Sequence, residues 1–168
     1  MPLFVIYPHA ALNRRAEPRP IDERMLQAGA ALLSAAQEVN AYGLAAAHLG
    51  LDEPIAVVSF ATDASQRDYR LLYNPQLLAL ADKTSIGPEG SVSMPEIEAP
   101  VKRAVWADIA YDDAQGTRRS ERVERFVSRI AQHEIDQVNG LFFLRRLSPV
   151  KRDIAIRKFQ KAGPSVVG

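Results

Sequence analysis

The chain reads as a mixed fold of helices and strands, and three observations predict it. Apolar residues recur at helical spacing in two stretches, compact apolar runs lie between those stretches, and prolines, glycines and acidic pairs punctuate the intervals. A short N-terminal strand is expected at Leu3-Phe4-Val5-Ile6. Pro18-Arg19-Pro20-Ile21-Asp22 then breaks the chain, and Asp22 is a natural helix N-cap. Met25, Ala28, Leu32, Leu33, Ala36 and Val39 follow as one apolar stripe, so the first long helix starts there.

The middle of the chain favours strands. Pro54 to Phe60 suits a buried strand, and a polar loop from Thr62 to Arg70 leads to a second strand at Leu71-Leu72-Tyr73-Asn74. A third strand is expected around Val105 to Tyr111, followed by a hairpin loop at Asp112-Asp113-Ala114-Gln115-Gly116. The second long helix is expected to start near Ser120. Its inward stripe is Val123, Phe126, Val127, Ile130 and Glu134, and Gly140 is placed to end it. Ser148-Pro149 opens a last amphipathic helix, Pro149 to Ala162.

Composition narrows the function. A chain of 168 residues with 47% hydrophobic content is expected to form one domain, 1–168, with a real core. A formal net charge of +1 gives no reason to expect general nucleic-acid binding. With no cysteine, disulfides and thiolate metal ligands are excluded. The apolar start is too short for a secretory signal and lacks a basic leader, and no apolar run reaches membrane-spanning length. A soluble cytoplasmic protein without membrane contact is expected.

The chemistry concentrates in Gln132-His133-Glu134-Ile135-Asp136-Gln137. A helix carrying His-Glu-x-x-His sets two imidazoles one turn apart, with a glutamate that can take a proton from metal-bound water. Here Gln137 occupies the second imidazole position. Arg129, His133 and Gln137 fall four residues apart and form one line along the helix. A buried histidine and glutamate on such a face need partners. Read without function, His133 bonds a backbone carbonyl, Glu134 reaches solvent or pairs with Arg129, and Arg129 snorkels to solvent. Alternatively, Arg129 supplies charge beside Glu134 or Glu89.

Two more segments complete the picture. Tyr42-Gly43-Leu44-Ala45-Ala46-Ala47-His48 places a glycine and small residues where a backbone must come close to something. Pro88-Glu89-Gly90-Ser91-Val92-Ser93-Met94-Pro95 is a tight, polar segment flanked by prolines. In order and spacing, these segments and the His-Glu helix resemble the three motifs of peptide deformylases: Gly-x-Gly-Leu-Ala-Ala-x-Gln, Glu-Gly-Cys-Leu-Ser and Gln-His-Glu-x-Asp-His. Asn74-Pro75, Arg103 and Leu147-Ser148-Pro149 extend the resemblance over nearly the whole chain.

The resemblance implies an α+β fold in which antiparallel strands surround a central helix bearing the His-Glu motif, with a C-terminal helix. It implies removal of the formyl group from N-terminal formylmethionine by a water on a divalent metal, commonly iron. It carries His133 over as a metal ligand and Glu134 as general base and acid. Ser91 and Gln137 fall on the cysteine and second-histidine ligand positions, and His48 on the glutamine that stabilises the oxyanion. Tyr42, Gly43, Val92 and Glu89 become substrate-binding positions, with the Val92 backbone N–H beside the oxyanion. Ala41 replaces the first glycine of the first motif, and Glu98 stands where many members carry an arginine for the substrate backbone.

These departures have chemical consequences. A serine hydroxyl stays protonated where a thiolate would bring negative charge, and an amide oxygen is a weaker ligand than imidazole. The expected state is therefore no metal, or a weakly bound iron or zinc, with deformylation lost or strongly reduced and the groove kept for formylated or free peptide N-termini. An active hydrolase with a metal rebuilt on His48 and His133 is the alternative. A third reading is docking to the ribosome through the basic last helix, which carries Lys151, Arg152, Arg157, Lys158 and Lys161.

Overall fold

A computed structural model of the chain describes residues 2–163; Met1 and 164–168, which the single-domain expectation also covers, lie outside the described residues. Three α-helices and seven strands follow one another as α1 (Glu23–Val39), β1 (Gly43–Ala45), β2 (Ile55–Ser59), β3 (Tyr69–Leu80), β4 (Thr84–Ser91), β5 (Met94–Ala104), β6 (Trp106–Asp112), β7 (Arg118–Glu124), α2 (Arg125–Val138) and α3 (Pro149–Lys161). Five strands make one antiparallel sheet in the order β1-β2-β3-β6-β7, while β4 and β5 form a separate antiparallel pair. The fold is α+β, as expected.

Strand β2 explains the layering. All five of its residues are buried, because the sheet is covered on both faces. Alternation sends Ile55 and Val57 into one cluster with Met25, Leu32, Leu44 and Tyr73, which packs α1 against the sheet. Val58 instead joins Leu72, Ile109, Val127, Ala131 and Ile135 beneath α2. A third cluster links β5 to the C-terminal region through Met94, Val101, Phe142, Phe143 and Ala155. Helix α2 touches both sheets and is the central element.

The helix ends follow local chemistry. The Asp22 side chain accepts the Met25 N–H at 2.8 Å, and Asn40 closes α1 in the left-handed region at φ 53°. Gly140, at φ 81°, turns the chain after α2 and donates its N–H to Gln137 O at 3.0 Å. Ser148 caps α3 and Pro149 takes its first position. On α3, Arg152 bonds the carbonyls of Leu144 and Leu147, so its cation is turned inward.

Helix α1 also needs a glycine. A Cβ on Gly29 would lie 2.3 Å from the Tyr73 hydroxyl oxygen. Tyr73 is 2% exposed and its ring cannot bend away. Gly29→Ala is expected to destabilise the protein by about 1–3 kcal/mol through overpacking, read as a lower urea midpoint.

Several expectations need correction. Residues 3–6 form no strand; Val5 donates its N–H to His48 O. The second strand runs from Tyr69 to Leu80, well beyond Asn74, with bulges at Tyr73/Gln76 and Leu77/Ala79. The second long helix begins at Arg125; Ser120 and Val123 belong to β7, whose backbone pairs with β6. No helix is long and apolar enough to cross a membrane among the described residues.

Candidate active site

The three sequence motifs converge on one cleft of about 670 Å³ between the two sheets and α2. Tyr42 and strand β1 bring an aromatic ring, Gly43 and Leu44; β4 brings Glu89, Gly90 and Ser91; the turn after it brings Val92, and β5 opens with Met94; α2 brings Phe126, Arg129, Ile130, His133 and Glu134. His48 reaches the cleft from a 3-10 turn, Ala46–Leu49. Gln137 is buried beside it but does not line it. Tyr42 and Phe126 meet edge to face at 4.7 Å and stand at the mouth, each more than a third exposed.

Gly43 is small because α2 comes close. A Cβ there would lie 2.7 Å from Ile130 Cγ2 and 2.9 Å from Glu134 Cγ. The first motif therefore fixes where the Glu134 side chain can stand.

Behind the cleft lies a buried ionic network. Glu89 accepts from Arg103 Nε and Nη2, both at 2.9 Å, from Arg129 Nη1 at 2.8 Å, and faces His133 Nδ1 at 2.8 Å. Arg103 also donates to Asp136 at 2.6 Å, and Arg146 closes the chain on Asp136. Arg129 further donates to Val101 O and Ser85 O. Arg129 is thus buried against Glu89 and does not snorkel to solvent, because β4 and β5 cover it. His133 leans on the Glu89 carboxylate where a backbone carbonyl was expected, and Glu134 neither reaches solvent nor pairs with Arg129. Burial alone would raise the Glu89 pKa, but hydrogen bonds from Arg103 and His133 outweigh it and bring it down to about 2.

Hydrogen bonds set the histidine tautomers. His133 donates Nδ1–H to Glu89, which orients the ring as outer carboxylates orient metal-binding imidazoles. His48 is different. Its Nδ1 accepts the Ala45 backbone N–H at 2.9 Å, so a neutral ring carries its proton on Nε2, facing Ser91 Oγ at 3.4 Å. Ser91 Oγ also accepts the Ser93 N–H at 3.1 Å. Gln137 donates to Leu12 O at 2.8 Å.

Burial shifts the remaining groups. Desolvation lowers His48 to about 3, helped by repulsion from His133, which keeps it neutral. Desolvation raises Glu134 to about 7, against the attraction of His133. Burial works against a charged His133, but the carboxylates of Glu134 and Glu89 outweigh it and raise its pKa. The Glu134 Oε1 is buried with no hydrogen-bond partner.

One nitrogen from each of His48 and His133 and one Glu134 oxygen lie within 4.8 Å of one another, so a metal site is possible here. Imidazole nitrogens and a carboxylate are a donor set for zinc or iron. The family model for polypeptide deformylase matches residues 1–153. The chain belongs to the polypeptide deformylase family. Among relatives, Agrobacterium fabrum carries a "peptide deformylase-like" protein 32% identical over 93% of each chain. The same organism carries a "peptide deformylase" 28% identical over 95% of this chain and 94% of its own. The crystal structure of Arabidopsis thaliana peptide deformylase 1B with an inhibitor superposes at a TM-score of 0.84 and 29% identity, covering 95% of this chain and 88% of that one. Deformylases are metal-dependent.

Tyr42, Gly43, His48, Glu89, Ser91, Val92, His133 and Glu134 all line this one cleft. Sequence reasoning missed Phe126 at the mouth, read as core, and Glu96, which lines the cleft with Glu98 from β5.

Proposed function

We propose that this deformylase-family chain keeps the peptide cleft but has lost formylmethionine hydrolysis, because its residues do not fit the family's catalytic metal. The observation that carries the reading is the hydrogen bond from Ala45 N–H to His48 Nδ1. It commits the His48 lone pair and leaves a proton on Nε2, so His48 does not replace a lost ligand without breaking that bond. Ser91 keeps its hydroxyl proton at neutral pH, and Gln137, tied to Leu12 O through its amide nitrogen, offers only an amide oxygen, a weaker donor than imidazole. His133 alone keeps a ligand of the family's type. The upward shifts of His133 and Glu134 set protons in competition with any metal there.

The remaining residues suit binding. Tyr42, Gly43 and the Val92 backbone would line a bound peptide's N-terminal residue, Glu89 would hold His133, and His48 would offer Nε2–H to a carbonyl oxygen. The likeness to a deformylase-like protein of an organism that also carries a deformylase supports a role beside that enzyme.

The test is turnover. Protein loaded with iron under anaerobic conditions, or with zinc, is expected to release no formate from formyl-Met-Ala-Ser and to retain less than about a tenth of an equivalent of metal after desalting. Formate release abolished by Glu134→Ala would overturn the reading. The proximity of His48, His133 and Glu134 favours a second reading, a rebuilt two-histidine, one-carboxylate site. Near-stoichiometric metal that is lost in both His48→Ala and His133→Ala would establish it.

A further inference from the structure

We propose that the cleft selects a free, positively charged peptide N-terminus over a formylated one, with Glu134, Glu96 and Glu98 supplying the counter-charge. This rests on the reading of the cleft as a peptide N-terminus site and names which N-terminus it takes.

The charges that line the cleft are unbalanced. Glu89, Glu96, Glu98 and Glu134 face it, against Arg129 as the single arginine or lysine. Arg129 is already bound to Glu89, so its charge is spent. Glu96 and Glu98 are exposed on one face of β5, the former held at φ 67°. Neither makes an ion pair within the described residues. The rim therefore presents two carboxylates outside any ion pair, and the floor presents the Glu134 carboxyl group, whose Oε1 has no hydrogen-bond donor.

Glu134 makes this more than an acidic patch. The residue is 4% exposed, and its Oε1 has no donor. An unpaired buried carboxylate oxygen is costly, and a ligand that donates to it recovers that cost. A primary ammonium brings three N–H donors and a full charge, and charge-assisted bonds are about twice as strong as neutral ones. A formamide offers one N–H and turns its carbonyl oxygen toward the same carboxylates. The apolar walls from Tyr42, Ile97, Phe126 and Ile130 suit an unbranched apolar first side chain and lower the local dielectric around the charge pair.

The experiment is calorimetric titration of the full chain with Met-Ala-Ser, formyl-Met-Ala-Ser and acetyl-Met-Ala-Ser. The free peptide is expected to bind at least about tenfold more tightly than either blocked peptide, and Glu134→Gln to bring the three within about threefold. Because Glu134 is buried, the exposed double variant Glu96→Gln/Glu98→Gln serves as a second probe and is expected to weaken the free peptide severalfold. Blocked peptides binding as tightly as the free one, no binding of any of the three, or a preference untouched by both variants overturns the inference. Those outcomes leave the proposed loss of hydrolysis standing. Formate release that depends on Glu134 overturns the loss of hydrolysis instead, whatever the binding preference.

Discussion

Glu89→Ala is expected to destabilise the protein by about 3–5 kcal/mol, because it leaves buried arginines without their shared carboxylate. Arg103 is 3% exposed and Arg129 8%, and both point donors at Glu89. Without it, Arg129 would keep only neutral oxygens from Val101 and Ser85. Arg103 would keep Asp136, which Arg146 already shares. His133 would also lose the group that fixes its ring. Arg129→Met leaves Glu89 paired with Arg103, so it is expected to cost only about 1–2 kcal/mol. Both are read as shifts of the urea midpoint at neutral pH.

The same carboxylate gives an acid signature. Its folded pKa of about 2 lies below the ordinary 4.5, so its stabilising contribution is complete above pH 4.5 and fades as pH falls toward 2. Glu89→Gln removes that dependence. The difference in stability between the parent and Glu89→Gln is therefore expected to shrink across that window. A difference that stays constant from pH 6 to pH 2.5 would show that Glu89 does not titrate with folding.

Helices with a clean apolar stripe are legible in the amino-acid pattern alone. Met25, Ala28, Leu32 and Ala36 are buried where the 3.6-residue period places them, and Asp22 caps that helix. The start of α2 was not legible, because Val123 and Phe126 fit both a helical stripe and a strand end. Strand β7 is an edge strand with a single buried residue, Val123, and its backbone pairing with β6 leaves no mark in the sequence. Strand β5 does carry a signal: Ile97, Ala99, Val101 and Arg103 are buried while Glu96, Glu98, Pro100 and Lys102 are exposed. Pro95 and Pro100 masked it, since prolines argue against a strand unless it lies at an edge. At the site, the identities of the ligand positions were readable but their partners were not. That Ala45 N–H would take the His48 lone pair depends on a 3-10 turn folding the His48 ring back over Ala45, which no periodicity announces.

On the proposed reading, supplying the family's ligand residues is expected to create a metal site. The triple variant Ser91→Cys/Gln137→His/His48→Gln should rise from below a tenth of an equivalent to about one equivalent of zinc or iron, and gain formate release that depends on Glu134. The outer partners such a site needs are already in place. Glu89 holds His133 through Nδ1, and Leu12 O receives a donor from position 137 at 2.8 Å. A histidine at 137, one turn from His133, can donate Nδ1–H to the same carbonyl and turn Nε2 toward the shared centre. A cysteine at 91 contributes the thiolate charge that a serine cannot, and a bound cation then draws the Glu134 proton off at neutral pH. Replacing His48 removes an N–H that faces position 91. Arg129 is no obstacle, since its charge is matched by Glu89. A triple variant that folds and still binds no metal would show that positions 48, 91 and 137 do not account for the proposed loss.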